Sequence, residues 1–253
     1  MAMKTNTNTA KVTADTSRID QLKERQRSTP QELDFERIRI MKEVYEETAG
    51  EVQILRRAKF LAAMLDRKKI FIDDNLFVGT MAGSYMAIYP NPEWNVLWMK
   101  EEKTVENSKT KEDKEANEWA LDYWDKRGLK SRTESIFKQR YGFDPTPTYQ
   151  AGLVVPFHDW PGGGGNLNYP MVYQQGLVSA IKDVEERMMS LEMRLDNTDK
   201  LYFYQASLIV MKAVVRWANR YALLAREMAE KEKDTTRKAE LISIAETCEW
   251  VPE

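Results

Sequence analysis

The stretch AGLVVPFHDWPGGGGNLNYPMVYQQG, residues 151–176, interrupts a chain whose remaining sequence is mostly typical of helix. It contains the only histidine, His158, and four consecutive glycines, residues 162–165. Ordering four glycines costs a large amount of backbone entropy. Such a segment is typical of a place where backbone runs close to another group, or where a loop has to move. The sequence therefore predicts a helical scaffold that presents one glycine-rich loop.

Apolar residues recur at intervals of three or four on both sides of this loop, which predicts amphipathic helices. The predicted helices are 31–48, 52–66, a short stretch from Trp119 to near Gly128, 129–141, 168–195, 199–231 and 235–249. Thr29 is the predicted N-cap of the first helix, with Pro30 in its first turn.

Residues 69–79, KIFIDDNLFVG, differ from this pattern and predict strand, turn and strand. The adjacent carboxylates of Asp73 and Asp74 are compatible with a metal site. Asp and Asn are also common turn residues, and the turn is the favoured interpretation. The following aromatic-rich loop, residues 80–98, either lines a cleft or anchors irregular backbone on the core. The predicted fold class is mostly α with a short β-hairpin.

Composition limits the function classes. The chain has 253 residues, with 38 basic and 40 acidic side chains and a formal net charge of -2. This length fits one large domain or two small ones. The balanced charge predicts no nucleic-acid partner, and no apolar run is long enough to predict a membrane span. Residues 1–28 are polar and predict a disordered tail without a secretion signal.

The single cysteine, Cys248, excludes an intrachain disulfide and predicts a reducing, cytoplasmic setting. One histidine and one cysteine also exclude a multi-histidine zinc site. A Ser-His-Asp or Cys-His arrangement would have to use His158. Neither of the two common glycine-rich phosphate-binding motifs occurs.

Six stretches carry a family resemblance when taken in order. They are FERIRIMKEVYEETAGEVQILRRAKFLAAML (35–65), IFIDDNLFVG (70–79), IYPNPEW (88–94), DYW (122–124), AVVRWANRYALLAREMAE (213–230) and RKAELISIAETC (237–248). Together they resemble the amino-terminal third of glycyl radical enzymes of the pyruvate formate-lyase and glycerol dehydratase type, over roughly residues 30–252.

The resemblance implies the helical amino-terminal portion of a ten-stranded α/β barrel. It also implies a lyase in which a backbone glycyl radical oxidises a cysteine to a thiyl radical that abstracts hydrogen from the substrate. An activating enzyme with S-adenosylmethionine and an iron-sulfur cluster installs the radical. The implied partners are the rest of the barrel, this activating enzyme, a small-molecule substrate and a second copy in a homodimer, with or without small accessory subunits.

The chain departs from the family pattern in one decisive respect. It contains neither a G-C-x-E loop for the thiyl cysteine nor an R-V-x-G-Y loop for the radical glycine. Cys248 follows Thr247 in a helical pattern and is interpreted as a small buried hydrophobe. We therefore expect no catalytic residue and no bound cofactor in this chain, which would be the portion 29–253 of a longer enzyme and inactive alone.

The resemblance also implies a substrate-binding loop, because relatives of the glycerol dehydratase type use a histidine ahead of an Asp-Tyr pair. Tyr169 matches that tyrosine, while the spacing to His158 does not match. The predicted set is His158, Asp159 beside it as a partner of the imidazole, Trp160 as an apolar wall, Asn166 and Tyr169. The alternatives are a histidine satisfied by loop backbone and a tryptophan packed on the scaffold.

The stretches KAVVRWANRYALL and DYWDKRGLKSRTE most resemble the branch that adds a hydrocarbon to fumarate, as in benzylsuccinate or alkylsuccinate synthases. A loop rich in Trp and Gly and poor in charge suits a hydrocarbon. Arylacetate decarboxylases and diol dehydratases are the alternatives within the family. A non-catalytic helical interaction module is the alternative from another class, and the sequence beyond residue 253 would distinguish it from an enzyme.

Overall fold

The computed structural model describes residues 17–94, 96–145, 147, 148, 151 and 169–252, and within these ranges the chain is mostly helical, as predicted. The helices are α1 Ser17–Ser28, α2 Glu36–Glu47, α3 Gln53–Arg67, α4 Val96–Glu101, α5 Lys111–Asp125, α6 Leu129–Tyr141, α7 Tyr169–Met189, α8 Thr198–Lys231 and α9 Thr235–Trp250. One turn of 3-10 helix, Leu195–Asn197, precedes α8.

The β structure is not the predicted hairpin. Strands β1, Glu32–Leu33, and β2, Ala87–Ile88, pair in parallel, with Glu32 opposite Ala87. Residues 69–79 form no strand, so the two strands predicted there are wrong. Asp73 Oδ1 does accept the Asn75 N–H at 2.9 Å, which confirms the turn. The apolar residues that flank this turn pack against α8 and α9 instead of pairing with each other.

The amino terminus differs from the prediction in two ways. Of the predicted disordered tail, the described residues from Ser17 onward form helix α1, which belongs to a unit separate from residues 31–253. The Thr29 hydroxyl donates to the Arg25 carbonyl, so Thr29 closes α1 and is not the cap of the next helix. Helix α2 begins only at Glu36, whose N–H is accepted by Asp34 Oδ1 at 3.0 Å.

An aromatic core holds α2, α3, α4 and α5 together within the second unit, residues 31–253. The Tyr45 ring packs edge-on against Trp124, with centroids 5.3 Å apart. Trp124 Nε1 donates to Met41 Sδ at 3.2 Å. The buried members are Ile38, Ile40, Met41, Val44, Tyr45, Phe60, Met64, Val96, Met99, Ala116, Ala120 and Trp124.

The aromatic-rich loop is anchored on this core by a buried ion pair. Arg37 and Glu93 are both almost fully buried, and the guanidinium also donates to the Pro90 carbonyl at 2.9 Å. Arg57 reaches Glu93 Oε1 at 3.2 Å. Pro90 and Pro92 are fully buried beside them. Of the two interpretations of this loop, anchoring therefore describes residues 90–93.

A second core lies between α8 and α9 and is built largely from alanine. Small side chains let the two helices approach closely, and α8 is about 50 Å long at 1.5 Å per residue. The buried members are Ile72, Tyr221, Ala222, Ala225, Ala229, Leu241, Ile244 and Ala245. A smaller cluster of Ala62, Leu65 and Ala213 joins α3 to α8.

Candidate functional site

Most of the predicted substrate-binding loop lies outside the described residues. His158, Asp159, Trp160 and Asn166 belong to this part of the chain, and Tyr169 is described only as the first residue of α7. Their role in substrate binding therefore stays a prediction. The structure does describe the helix that follows the loop and the surface on which that helix lies.

A cavity of about 620 Å³ opens between α7, α8, α9 and residues 76–79. Helix α7 contributes Val172 and Leu177 to its wall, so the segment immediately after the predicted loop borders this cavity. The walls are mainly apolar. The lining residues are Leu76, Phe77, Val78, Gly79, Val172, Leu177, Val214, Trp217, Ala218, Tyr221, Glu240, Ser243, Ile244, Thr247, Cys248, Val251 and Pro252.

Helix α7 is broken where it meets the cavity. Gly176 has φ 70° and ψ 171°, a backbone conformation that is essentially restricted to glycine. After the break, the N–H groups of Leu177 and Val178 both donate to the Pro252 carbonyl, at 3.0 and 3.1 Å. The predicted continuous helix over 168–195 is therefore two half-helices, and the second half ends at Met189.

The wall formed by α8 is rigidly packed. Trp217 and Tyr221 pack edge-on with centroids 5.5 Å apart, and the Tyr221 hydroxyl donates to the Thr80 carbonyl at 3.3 Å. Burial raises the pKa of Tyr221, which keeps this hydroxyl protonated at neutral pH. Gly79 has φ 108°, and a Cβ there would lie 3.4 Å from the Trp217 ring. The contact itself is an ordinary one, so it is the positive φ that favours glycine at this position.

Cys248 lies on the α9 wall and is half-buried, with part of its surface packed against the second core. Burial raises the pKa of its thiol, and the neighbouring charge of Glu249 acts in the same direction. The thiol is therefore neutral at pH 7 and is not an activated nucleophile. This agrees with a scaffold role, although the side chain reaches the cavity and is not fully buried as predicted.

The charged and polar groups of the cavity offer little for binding a metal ion. Glu240 pairs with Arg237 at 2.9 Å, and Ser243 and Thr247 lie exposed along α9. Within the described ranges, no three His, Cys, Asp or Glu side chains come together in a way that would hold a metal ion. A search of the same residues finds no helix with the length and apolar character needed to cross a bilayer.

Sequence reasoning missed this cavity, although the signal was present. Its walls come from residues 76–79, 214–221 and 240–248. These are parts of three stretches that carry the family resemblance: IFIDDNLFVG, AVVRWANRYALLAREMAE and RKAELISIAETC. The structure brings the three together around one space, with α7 as the fourth side.

The family model described as "Pyruvate formate lyase-like" matches residues 8–253. Among curated proteins, an isethionate sulfite-lyase from Oleidesulfovibrio alaskensis is 28% identical over 247 residues, which cover 87% of this chain and 29% of that protein.

Two solved structures are similar in fold. One is a structure concerned with 1,2-propanediol dehydration in Roseburia inulinivorans, with a TM-score of 0.78 and 27% sequence identity. The match covers 95% of this chain and 30% of that chain. The other is a glycyl radical enzyme from Archaeoglobus fulgidus, with a TM-score of 0.77 and 30% sequence identity. The match covers 93% of this chain and 31% of that chain. The chain thus spans about a third of the length of these relatives, which agrees with the expected amino-terminal third.

Proposed function

We propose that this chain is the helical amino-terminal portion of an anaerobic radical lyase. The chain belongs to the pyruvate formate lyase-like family of glycyl radical enzymes. The observation that carries this proposal is the family match over residues 8–253, together with the shared fold. The catalytic activity belongs to a longer protein, because the relatives are about three times as long as the matched region.

The proposed reaction is elimination of a small leaving group from a small hydroxylated substrate. The relatives above include a sulfite-lyase and a structure concerned with dehydration of a diol. Neither adds a hydrocarbon to fumarate, so our preference for that reaction stays a prediction without support from these relatives. Dehydration, which was an alternative within the family, becomes the first choice.

The radical group itself has no counterpart among the residues of this chain. Neither the G-C-x-E nor the R-V-x-G-Y motif is present, and the only cysteine has a raised pKa and lies among packed helices. When present in the longer protein, the glycyl radical would supply hydrogen abstraction through a cysteine elsewhere. We propose the activating enzyme, the remaining barrel and a second copy as partners on the same basis.

The proposed contribution of this chain is structural and positional. The aromatic core and the buried Arg37–Glu93 pair fix the first helices. Helix α8 packs on α3 through Ala213 and on α9 through Tyr221 and its alanines. Helix α7 then carries the loop that contains the predicted substrate residues. A rigid scaffold of this kind would help to exclude water from a radical intermediate.

The experiment requires the complete coding sequence. The full-length protein would be activated anaerobically with an S-adenosylmethionine-dependent activating enzyme of the family and examined by electron paramagnetic resonance. We expect a glycyl radical doublet and turnover of 1,2-propanediol or isethionate. Turnover of toluene with fumarate would instead restore the hydrocarbon hypothesis. A downstream sequence without both radical motifs, and no signal after activation, would favour a non-catalytic interaction module.

A further inference from the structure

Two polar side-chain atoms near the connection between α4 and α5 are completely buried without a hydrogen bond. Thr104 and Asn117 are both 0% exposed. Thr104 Oγ1 and Asn117 Oδ1 have no partner among the residues that the structure describes. Burying a polar atom unpaired is destabilising, and the large majority of buried polar side-chain atoms are bonded to protein or to ordered water. The two atoms therefore indicate a bound group.

The hydrogen bonds of Asn117 fix which end of its amide is unpaired. Its Nδ2 donates to the Asp113 carbonyl at 2.9 Å and to the Ser108 hydroxyl at 3.2 Å. The Ser108 hydroxyl donates its own hydrogen to the Thr104 carbonyl at 2.8 Å, so it can only accept from Asn117. Turning the amide over would place an oxygen against the Asp113 carbonyl. The unpaired atom is therefore an oxygen, which needs a donor.

Thr104 and Asn117 are held on either side of the same Ser108 hydroxyl. The Thr104 N–H donates to the Met99 carbonyl at 3.0 Å, which fixes the backbone at the end of α4. Within 102–110, all of which the structure describes, only Thr104 is fully buried. We propose that one internal water molecule binds between Thr104 Oγ1 and Asn117 Oδ1. It donates to the amide oxygen and is hydrogen-bonded to the threonine hydroxyl.

Charge favours water over a cation at this site. Asp113 is 3% exposed, and its carboxylate already binds Arg39 and accepts the Thr110 N–H at 3.2 Å. A cation would therefore be a buried charge without a counterion of its own, which is unfavourable. Water is neutral and both donates and accepts, and a buried water typically makes about two to four hydrogen bonds. The proposed water ties the connection between α4 and α5 to the aromatic core.

A high-resolution crystal structure of the full-length protein tests the site directly. We expect a water peak about 2.6–3.2 Å from both oxygen atoms. The same crystals, transferred to rubidium chloride, test for a cation, because rubidium replaces monovalent ions and scatters anomalously. An anomalous peak between the two oxygen atoms would overturn the proposal in favour of a cation. No peak of either kind would overturn the site itself.

Thr104→Val tests the site in solution, because it replaces the hydroxyl with a methyl group of similar size. Amide hydrogen exchange is measured in the native full-length protein at residues 104, 107 and 108, whose N–H groups are hydrogen-bonded. Exchange there should become roughly two- to tenfold faster, the effect of one lost hydrogen bond. Thr104→Ser keeps the hydroxyl and should accelerate exchange less. Thr133→Val is the matched control, since the Thr133 hydroxyl donates to the Leu129 carbonyl at 2.8 Å within α6, and it should leave the three rates unchanged.

The direction of the change decides the result. A hydroxyl buried without any partner destabilises the folded protein, so its removal in Thr104→Val would slow exchange or leave it unchanged, and either result would overturn the proposal. Equal acceleration in Thr104→Val and Thr104→Ser would also overturn it, since only the valine removes the hydroxyl. None of these readouts uses a glycyl radical signal, so a failure here is distinguishable from a failure of the proposed function.

Discussion

The two cores of this protein are built on different principles. The core of α2 to α5 consists of large aromatic and aliphatic side chains, with Tyr45 in contact with the rings of Phe60, Tyr123 and Trp124. The core of α8 and α9 relies on alanine and leaves a cavity of about 620 Å³ open beside Trp217. Protein interiors are normally packed as densely as organic crystals.

This difference means that the described side chains enclose the first core, whereas the second core borders an open cavity. In the first, even the charged groups are enclosed and paired, as with Arg37 and Glu93. In the second, an aromatic and two aliphatic side chains on the cavity rim remain half or more exposed.

Replacing Glu93 with Gln should cause a large loss of stability. Glu93 is 6% exposed and binds Arg37, which is 7% exposed. The substitution leaves a buried guanidinium without a counterion, which costs roughly 3–5 kcal/mol. The free energy of unfolding, measured in urea, is the readout.

Glu43→Gln is the matched control, because Glu43 pairs with Arg67 on the surface and both side chains are about half exposed. Its effect should stay below about 1 kcal/mol. Equal losses for the two variants would show that the buried pair does not hold the aromatic loop on the first core.

A comparison of two tryptophans tests the difference in packing directly. Trp124→Ala should cost about 3–5 kcal/mol, because Trp124 is 5% exposed and fully surrounded by the first core. Trp217→Ala should cost less, since Trp217 already borders open space. Both values come from urea unfolding of the same preparation. A larger loss at Trp217 would contradict the contrast between the cores.

Sequence pattern predicts helices well where local signals and packing agree. Helix α6 has the predicted bounds, and α8 and α9 lie within one residue of theirs. Gly142 ends α6 with φ 72°, as a terminal glycine is expected to do. The apolar positions of α8 recur every three or four residues over its whole length. This is the period of an α-helix and not the two-residue period of a strand.

The failures have physical reasons in long-range contacts. Residues 70–72 and 76–78 have the composition of strands, yet they bury Ile72 and part of Val78 against helices. Ile54 and Leu61 belong to the apolar pattern of α3, yet they are 41% and 36% exposed, whereas Phe60 and Met64 are buried. No local signal reports which side of an apolar helix meets the next helix.

The candidate site was predictable only as a set of separate pieces. Three stretches singled out in the sequence form most of the cavity wall, but their meeting depends on how α8 packs on α9 and α3. The break at Gly176 was also missed, because a single glycine inside a helical pattern is usually tolerated. The loop that contains His158 lies outside the described residues, so its prediction is still open.

Replacing Gly176 with Ala should destabilise the second half of the molecule by roughly 1–3 kcal/mol. The φ of 70° and ψ of 171° are strained for any side chain with a Cβ. A relaxed backbone would misplace the N–H groups of Leu177 and Val178, which now donate to the Pro252 carbonyl. Hydrogen exchange should therefore become faster at residues 177 and 178.

Gly142→Ala is the control for the glycine break. Gly142 lies in the ordinary left-handed region, with φ 72° and ψ 11°, and nothing would contact an added Cβ. Its cost should be about 1 kcal/mol, without any change of exchange at residues 177 and 178. If both variants behave alike, the break in α7 has no special anchoring role.

The smallest effect concerns acid stability at the edge of the first core. Burial by itself would raise the pKa of Asp34, but Lys68 and the N–H groups of Glu36 and Gly83 outweigh it and lower this pKa. The resulting stability is present above the unfolded pKa of about 3.9 and is lost as the pH falls through the lower folded pKa. Asp34→Asn should therefore cost about 1–2 kcal/mol at pH 7, since Lys68 retains Glu36 at 3.2 Å. Urea unfolding from pH 7 down to pH 2 should show a difference between the two proteins that is constant above the unfolded pKa of about 3.9 and shrinks below it. A difference that stays constant down to pH 2 would mean that the charge of Asp34 is not what stabilises this edge.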